Sequence, residues 1–170
     1  TPGGGGAAAL AGSQAAALVA MVANLTLGRP KYASVEGEME ETLARSEALR
    51  DELLALVDRD AAAYGAVAAC FSMPRTNDAE KAARSAALQV AMKGAAEVPL
   101  LTAEKCLEVL GLAAAVGSSG NRSAAGDAAT GAYLAMAGLN SALMNVEINL
   151  SFIRDDGFVT SYGGKVAELR

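Results

Sequence analysis

The stretch Gly3-Gly4-Gly5-Gly6-Ala7-Ala8-Ala9-Leu10, continuing to Met21-Val22-Ala23-Asn24-Leu25-Thr26-Leu27, decides the fold of this 170-residue chain. Alanine, leucine and valine recur without a proline or a run of charges, so residues 5–27 read as a buried core helix. The run is long enough to span a bilayer, but Ser13, Gln14 and Asn24 interrupt it, and it is mostly alanine. Four glycines stand at its start. Glycine costs backbone entropy and is kept where bare backbone is needed. The first amides of a helix lack internal partners and carry the positive end of its dipole, so Gly3, Gly4 and Gly5 are candidate contacts for an anionic ligand. A flexible turn is the plainer reading of the same run.

Four further helices follow from the punctuation. Gly28 and Pro30 end the first. Residues 35–71, rich in Glu, Leu, Ala and Arg, form the second, broken by Met73-Pro74-Arg75-Thr76. Thr76 or Asn77 caps a third, with Asp78 and Glu80 in its first turn. Pro99 kinks or divides this helix, whose continuation reaches Val116. Gly117–Asn121 reads as a loop, residues 123–153 as another long helix, and the tail near Lys165 as the start of a last one. No strand pattern appears, so the fold class is all-α, a bundle of about five long helices within residues 1–170. The chain opens without Met, and residues before Thr1 are expected.

Composition narrows the function. Hydrophobic residues make up 52%, aromatics only 4%, and there is no Trp, so the core is small and aliphatic. The net charge of −5 with no basic cluster argues against nucleic acid and anionic membranes as partners. No histidine is present, which removes imidazole bases and His metal ligands. Cys70 and Cys106 lack metal spacing and suit a reducing, cytoplasmic setting. The carboxylates are too scattered to predict a metal site.

Several polar residues fall on apolar faces. Leu49, Leu53, Leu56, Ala63 and Val67 make a stripe on the second helix, and Asp60 lies within it, with Tyr64 at its edge and Asp58 opposite. A carboxylate there is paired, hydrogen-bonded to a neighbouring helix or cap, or functional. In the last long helix, Asp127, Gly131, Leu134, Gly138, Ser141, Asn145, Asn149 and Phe152 share a strip. A polar helix–helix seam or a ligand site explains it. Gln14 and Asn24 point toward the same seam. Lys31, Tyr32 and Arg84 are candidates for an acid or an anion contact, or are plain surface.

In this order the motifs resemble the formiminotransferase-cyclodeaminase/methenyltetrahydrofolate cyclohydrolase family. They are Thr1-Pro2-Gly3-Gly4-Gly5, Met21–Thr26 with Gly28 and Lys31-Tyr32, and Leu56–Ala61 with Tyr64. Next come Glu80-Lys81 with Arg84, Val98-Pro99-Leu100, Gly120-Asn121 and Asn145–Leu150. The family usually has Ser-Asp where this chain has Gly126-Asp127. The resemblance implies a homodimer with a folate one-carbon substrate in a cleft near the subunit interface, and no further cofactor or metal. It implies hydrolysis of 5,10-methenyltetrahydrofolate to 10-formyltetrahydrofolate, favoured by the glycine run and Gly28…Lys31-Tyr32, or cyclisation of formiminotetrahydrofolate with release of ammonia. The reacting carbon of the methenyl compound is cationic, so Asp127 and Asp60 are the candidate bases, with Lys31 beside them as a catalytic candidate. Gly3, Gly4, Gly5, Asn24, Tyr64, Arg84, Asn121, Asn145 and Asn149 are candidate substrate contacts. A non-catalytic helical dimerisation module is the alternative from a different class.

Overall fold

A computed structural model describes residues 3–170, so Thr1 and Pro2 of the glycine motif lie outside the described residues. Among these, five α-helices and no strand are present: α1 (Gly4–Thr26), α2 (Glu36–Phe71), α3 (Asp78–Ser119), α4 (Ala125–Leu150) and α5 (Asp156–Glu168), with short 3-10 turns at Pro30–Val35 and Arg122–Ala124. The helices α1 to α4 form an antiparallel bundle in which α1 packs chiefly on α2 and α4 and reaches α3 across the middle. By length and composition α1 alone among the described residues qualifies as a membrane span, yet most of its apolar window is buried by these neighbours.

Local signals set the ends. Gly28 has φ +69°, the only positive value among the described residues, and reverses the chain after α1. The Asn77 side chain accepts from the Glu80 amide at 2.9 Å and caps α3. Glu80 in turn accepts from the Thr76 amide at 2.7 Å. Two expectations change. Pro99 does not divide α3, which runs unbroken for 42 residues, and that helix persists to Ser119 through the expected loop. Pro99 lacks an N–H, so the carbonyl four residues earlier, on Ala95, loses its helical donor. The Asn149 side chain of α4 supplies one instead, Nδ2 to Ala95 O at 2.7 Å.

The core is made of small residues that let helices approach closely. A Cβ on Gly138 would sit 2.9 Å from both Ala8 O and Cys106 Sγ, and one on Gly12 would sit 2.6 Å from Cys106 Sγ. Burial there pushes the Cys106 thiol up to about 12, so it is a packing group. At the surface, Arg45 holds Glu108 at 2.5 Å and 2.6 Å and Glu52 at 3.1 Å, while Lys105 also pairs with Glu52. This network fastens α2 to α3.

Lengths differ, and that positions the site. At 1.5 Å per residue α1 is about 34 Å long, α2 about 54 Å and α3 about 63 Å. The far part of α2 and the near part of α3 therefore project beyond the N-terminus of α1 as a helical arm.

Gly12→Ala and Gly138→Ala should each destabilise by about 1–3 kcal/mol in urea unfolding. Adding Cys106→Ala should restore much of the first loss but little of the second, because Gly138 also meets the Ala8 carbonyl; equal rescue of both would contradict this packing. Lys105 and Arg45 hold Glu52 below the usual carboxylate range, and Arg45 does the same for Glu108. Depressed carboxylates stabilise the fold above their ordinary value and lose that contribution as acid protonates them. The side chains are 37% and 43% exposed, so the gain is small. Below the ordinary value of 4.5, the wild-type urea midpoint should fall more steeply than that of an E52Q/E108Q variant.

Candidate active site

The first turn of α1 has no side chain of its own to cap it. Its N-cap is Gly3, and neither Gly4 nor Gly5 carries a side chain. The missing acceptor comes from α2, where Asp60 Oδ2 accepts the Gly6 amide at 2.8 Å across 54 residues of sequence. A Cβ on Gly5 would lie 2.2 Å from Asp60 Oδ1, so only glycine lets the carboxylate sit there. The amides of Gly4 and Gly5 have no acceptor among the described residues. Negative charge on Asp60 is favoured by the positive end of the α1 dipole.

Asp60 bonds a neighbouring helix's backbone, one of the readings its sequence position allows, and it also lines open space. A cavity of about 640 Å³ lies where the arm leaves the bundle. Gly3, Gly4, Gly5, Asp60, Tyr64, Asn145 and Asn149, all named from sequence, line it. Asn145 rests on Gly4, its amide nitrogen 3.3 Å from where a Cβ would be, and donates to Ser141 O at 2.8 Å. Asn149 is fixed by the Ala95 carbonyl that Pro99 frees. Among the described residues one donor of each amide is committed, and the Oδ1 atoms and the second N–H groups have no partner there. Apolar walls complete the cavity: Ala63 and Val67 of α2, Met92 of α3, and the rings of Phe71 and Phe152.

Not every candidate converges here. Asp127, in the first turn of α4, is 18 residues from Asn145 on one continuous helix, about 27 Å away. Lys31 sits in the 3-10 turn beyond the far end of α1, exposed, with its Nζ 5.3 Å from the Tyr32 ring centre. Asn24 and Gln14 are exposed rather than turned to the seam. Asn121 is a structural pin. It is 8% exposed, its amide donates to Thr26 Oγ1, and its Nδ2 donates to Leu25 O, both at 2.9 Å. Tyr32 closes that end, its hydroxyl accepting the Arg122 amide, which holds the phenol below its ordinary range. Arg84 stands just outside the cavity, its guanidinium carbon 5.9 Å from the Phe71 ring centre. Met92 and Phe71 as cavity walls were not foreseen; an apolar residue on a long helix carries no signal of which neighbour it lacks. No group of three His, Cys, Asp or Glu side chains able to hold a metal occurs among the described residues.

Asp60 should therefore act on stability as a cap. Asp60→Ala is expected to cost about 1–2 kcal/mol in chemical unfolding, and Asp60→Asn much less, since its carbonyl still accepts the Gly6 amide. Equal stability of all three proteins would remove the cap from the account.

The sequence profile of the formiminotransferase-cyclodeaminase family matches residues 1–168. Over 158 residues the chain is 44% identical to a methenyltetrahydrofolate cyclohydrolase of Methylorubrum extorquens, covering 93% of this chain and 76% of that protein. It is 32% identical over 168 residues to the chicken formimidoyltransferase-cyclodeaminase, of whose length it spans 31%. A crystal structure of the formiminotetrahydrofolate cyclodeaminase of Thermotoga maritima superimposes with a TM-score of 0.88 at 31% identity, covering 99% of this chain and 80% of that one. The chain belongs to the formiminotransferase-cyclodeaminase family.

Proposed function

We propose that this chain is a methenyltetrahydrofolate cyclohydrolase. The observation that carries the chemistry is Asp60, a carboxylate fixed on a helix N-terminus yet open to the cavity. The methenyl substrate is a cation at the carbon between N5 and N10, so this carboxylate both attracts it and can take a proton from water. Water oxygen bonds to that carbon as Asp60 accepts a proton. The tetrahedral intermediate then breaks its bond to N5, N5 takes up a proton, and the hydroxyl becomes the formyl carbonyl on N10 as it loses its own. The sum consumes one water and releases one proton. Asn145 and Asn149 orient the pterin and the water through their free amide atoms. No cofactor beyond the folate takes part, and the setting is cytoplasmic. The identity of 44% to a protein named as the cyclohydrolase supports this activity over ring closure with ammonia release, which the more distant relatives are named for.

The working unit in this reading is a homodimer. Leu10, Met21 and Leu25 of α1 and Tyr133, Met144 and Ile148 of α4 are exposed. They leave an apolar face with a shallow groove of about 340 Å³ between the two helices. A large exposed apolar face marks an interaction surface. A two-fold axis perpendicular to the two helices would bring Lys31 and Asp127 of one copy toward the glycine end of the other. In that arrangement the residues that stand far from the cavity of their own chain would serve the partner's.

Loss of the near-ultraviolet absorbance of methenyltetrahydrofolate tests the reaction. Asp60→Asn should lower turnover by about a hundredfold or more while the protein stays folded. Near wild-type turnover would rule Asp60 out as the base. Appearance of that absorbance from formiminotetrahydrofolate, with no hydrolysis, would assign the ring-closing activity instead. Mixing inactive D60N and D127N chains should recover part of the activity if the site is shared between copies, and none if it is not.

A further inference from the structure

Proline is the least favoured residue in a helix interior, because it brings no N–H and its ring crowds the carbonyl four residues back. Pro99 nonetheless lies buried in the middle of α3, a helix otherwise rich in alanine. A residue that breaks a local rule is most often found where a site needs it. Here the consequence falls in the cavity wall. Ala95 O, left without its helical donor, accepts Asn149 Nδ2 from α4 at 2.7 Å. Ala95 and Asn149 both line the cavity that Asp60 lines, whereas Pro99 does not reach it.

The anchor decides which end of the amide does what. An asparagine side chain has a donor end and an acceptor end, and a carbonyl takes only the donor end. Nδ2 of Asn149 is therefore held on the wall, and Oδ1 has no donor among the described residues. Asn145 is tied in a similar way, but its acceptor is Ser141 O, one turn back on its own helix. Of the two amides, only Asn149 takes its orientation from a neighbouring helix, and so from residue 99. An N–H at position 99 would draw Ala95 O toward the axis of α3 to close the usual helical bond. The Asn149 amide would then be free to turn over.

We infer that Pro99 is a positioning residue for this cavity: by withholding an amide proton from Ala95 it fixes Asn149 with its acceptor end toward the ligand. For the identity of that ligand the inference rests on the folate reading, in which Oδ1 meets an N–H of the pterin. The contribution is preorganisation, because the amide holds one orientation before the ligand arrives. The same residue weakens the helix that carries it. Its loss therefore moves stability and binding in opposite directions, where a residue kept for packing would lower both together.

Two replacements separate the missing donor from the ring. Pro99→Ala supplies the N–H; lactic acid at position 99, the ester counterpart of alanine, does not. Pro99→Ala should unfold at no lower urea concentration than wild type. In the ligand-free protein it should lose the hydrogen-bonded NMR shift of the Asn149 side-chain amide, assigned by its absence from N149A. In calorimetric titration it should bind 5-formyltetrahydrofolate about tenfold more weakly. The ester protein should keep the shift, with an affinity within about twofold of wild type. P99A/N149A should bind no more weakly than N149A, since both changes remove one interaction. Wild-type affinity or an unchanged Asn149 signal in Pro99→Ala overturns the inference. So does an equal loss of affinity or of stability in the alanine and ester proteins, which would assign the effect to the ring. If folded wild-type protein binds no 5-formyltetrahydrofolate, the folate reading falls, and the Asn149 signal still decides for or against Pro99 as the origin of the anchor.

Discussion

One hydrogen bond, from the Gly6 amide to Asp60, organises the rest of this molecule. It gives α1 the cap that a run of glycines cannot provide. In return the helix dipole and a main-chain donor keep a carboxylate in place without a cation beside it. Gly5 is there because the carboxylate needs the space, and the carboxylate is there because the Gly6 amide needs an acceptor. The length of α2 follows from the same contact. The helix must reach the start of α1 and continue past it, and that continuation is one wall of the cavity.

A second arrangement works in a similar way. Proline in a helix removes a donor, and the loss is usually a cost. Here the freed carbonyl of Ala95 becomes the anchor for Asn149, so the break in the hydrogen-bond ladder of α3 sets a side chain in the cavity wall. Both cases put backbone polarity to use at the site. A chain with no histidine and few aromatics has limited side-chain chemistry, and main-chain groups take up the positioning.

Much of this could be read from residue spacing. The apolar run after the glycines marked α1, the stripe from Leu49 to Val67 marked the inner face of α2, and Asp60 stood out because it broke that stripe. Asn145 and Asn149, one turn apart among small residues, stood out for the same reason. Periodicity identifies a face, though, and says nothing of height. Lys31, Asn121 and Asp127 belong to motifs as distinctive as the glycine run, yet an unbroken helix holds them about 30 Å from it. Asn24 illustrates a different limit. A polar residue on an Ala-rich helix gives no sign of whether its face meets a neighbour or is left open, and here it is open. The pairing of Pro99 with Asn149 joins residues 50 positions apart through a main-chain atom, which no side-chain pattern records.

Borrowing a cap from another helix ties competence to assembly. An isolated α1 could not hold its first turn, because four glycines fray and their amides are as well served by water. The turn becomes ordered only when α2 has docked, and a loop of 54 residues must close before that contact exists. The cavity is therefore among the features that a partly assembled chain lacks. A folding intermediate with its helices formed but α1 loose would lack the fixed carboxylate and, with it, the end of the cavity that the native bundle forms. Whatever binds here acts selectively on finished molecules, and shifts the balance of the whole chain toward the native state as it does so.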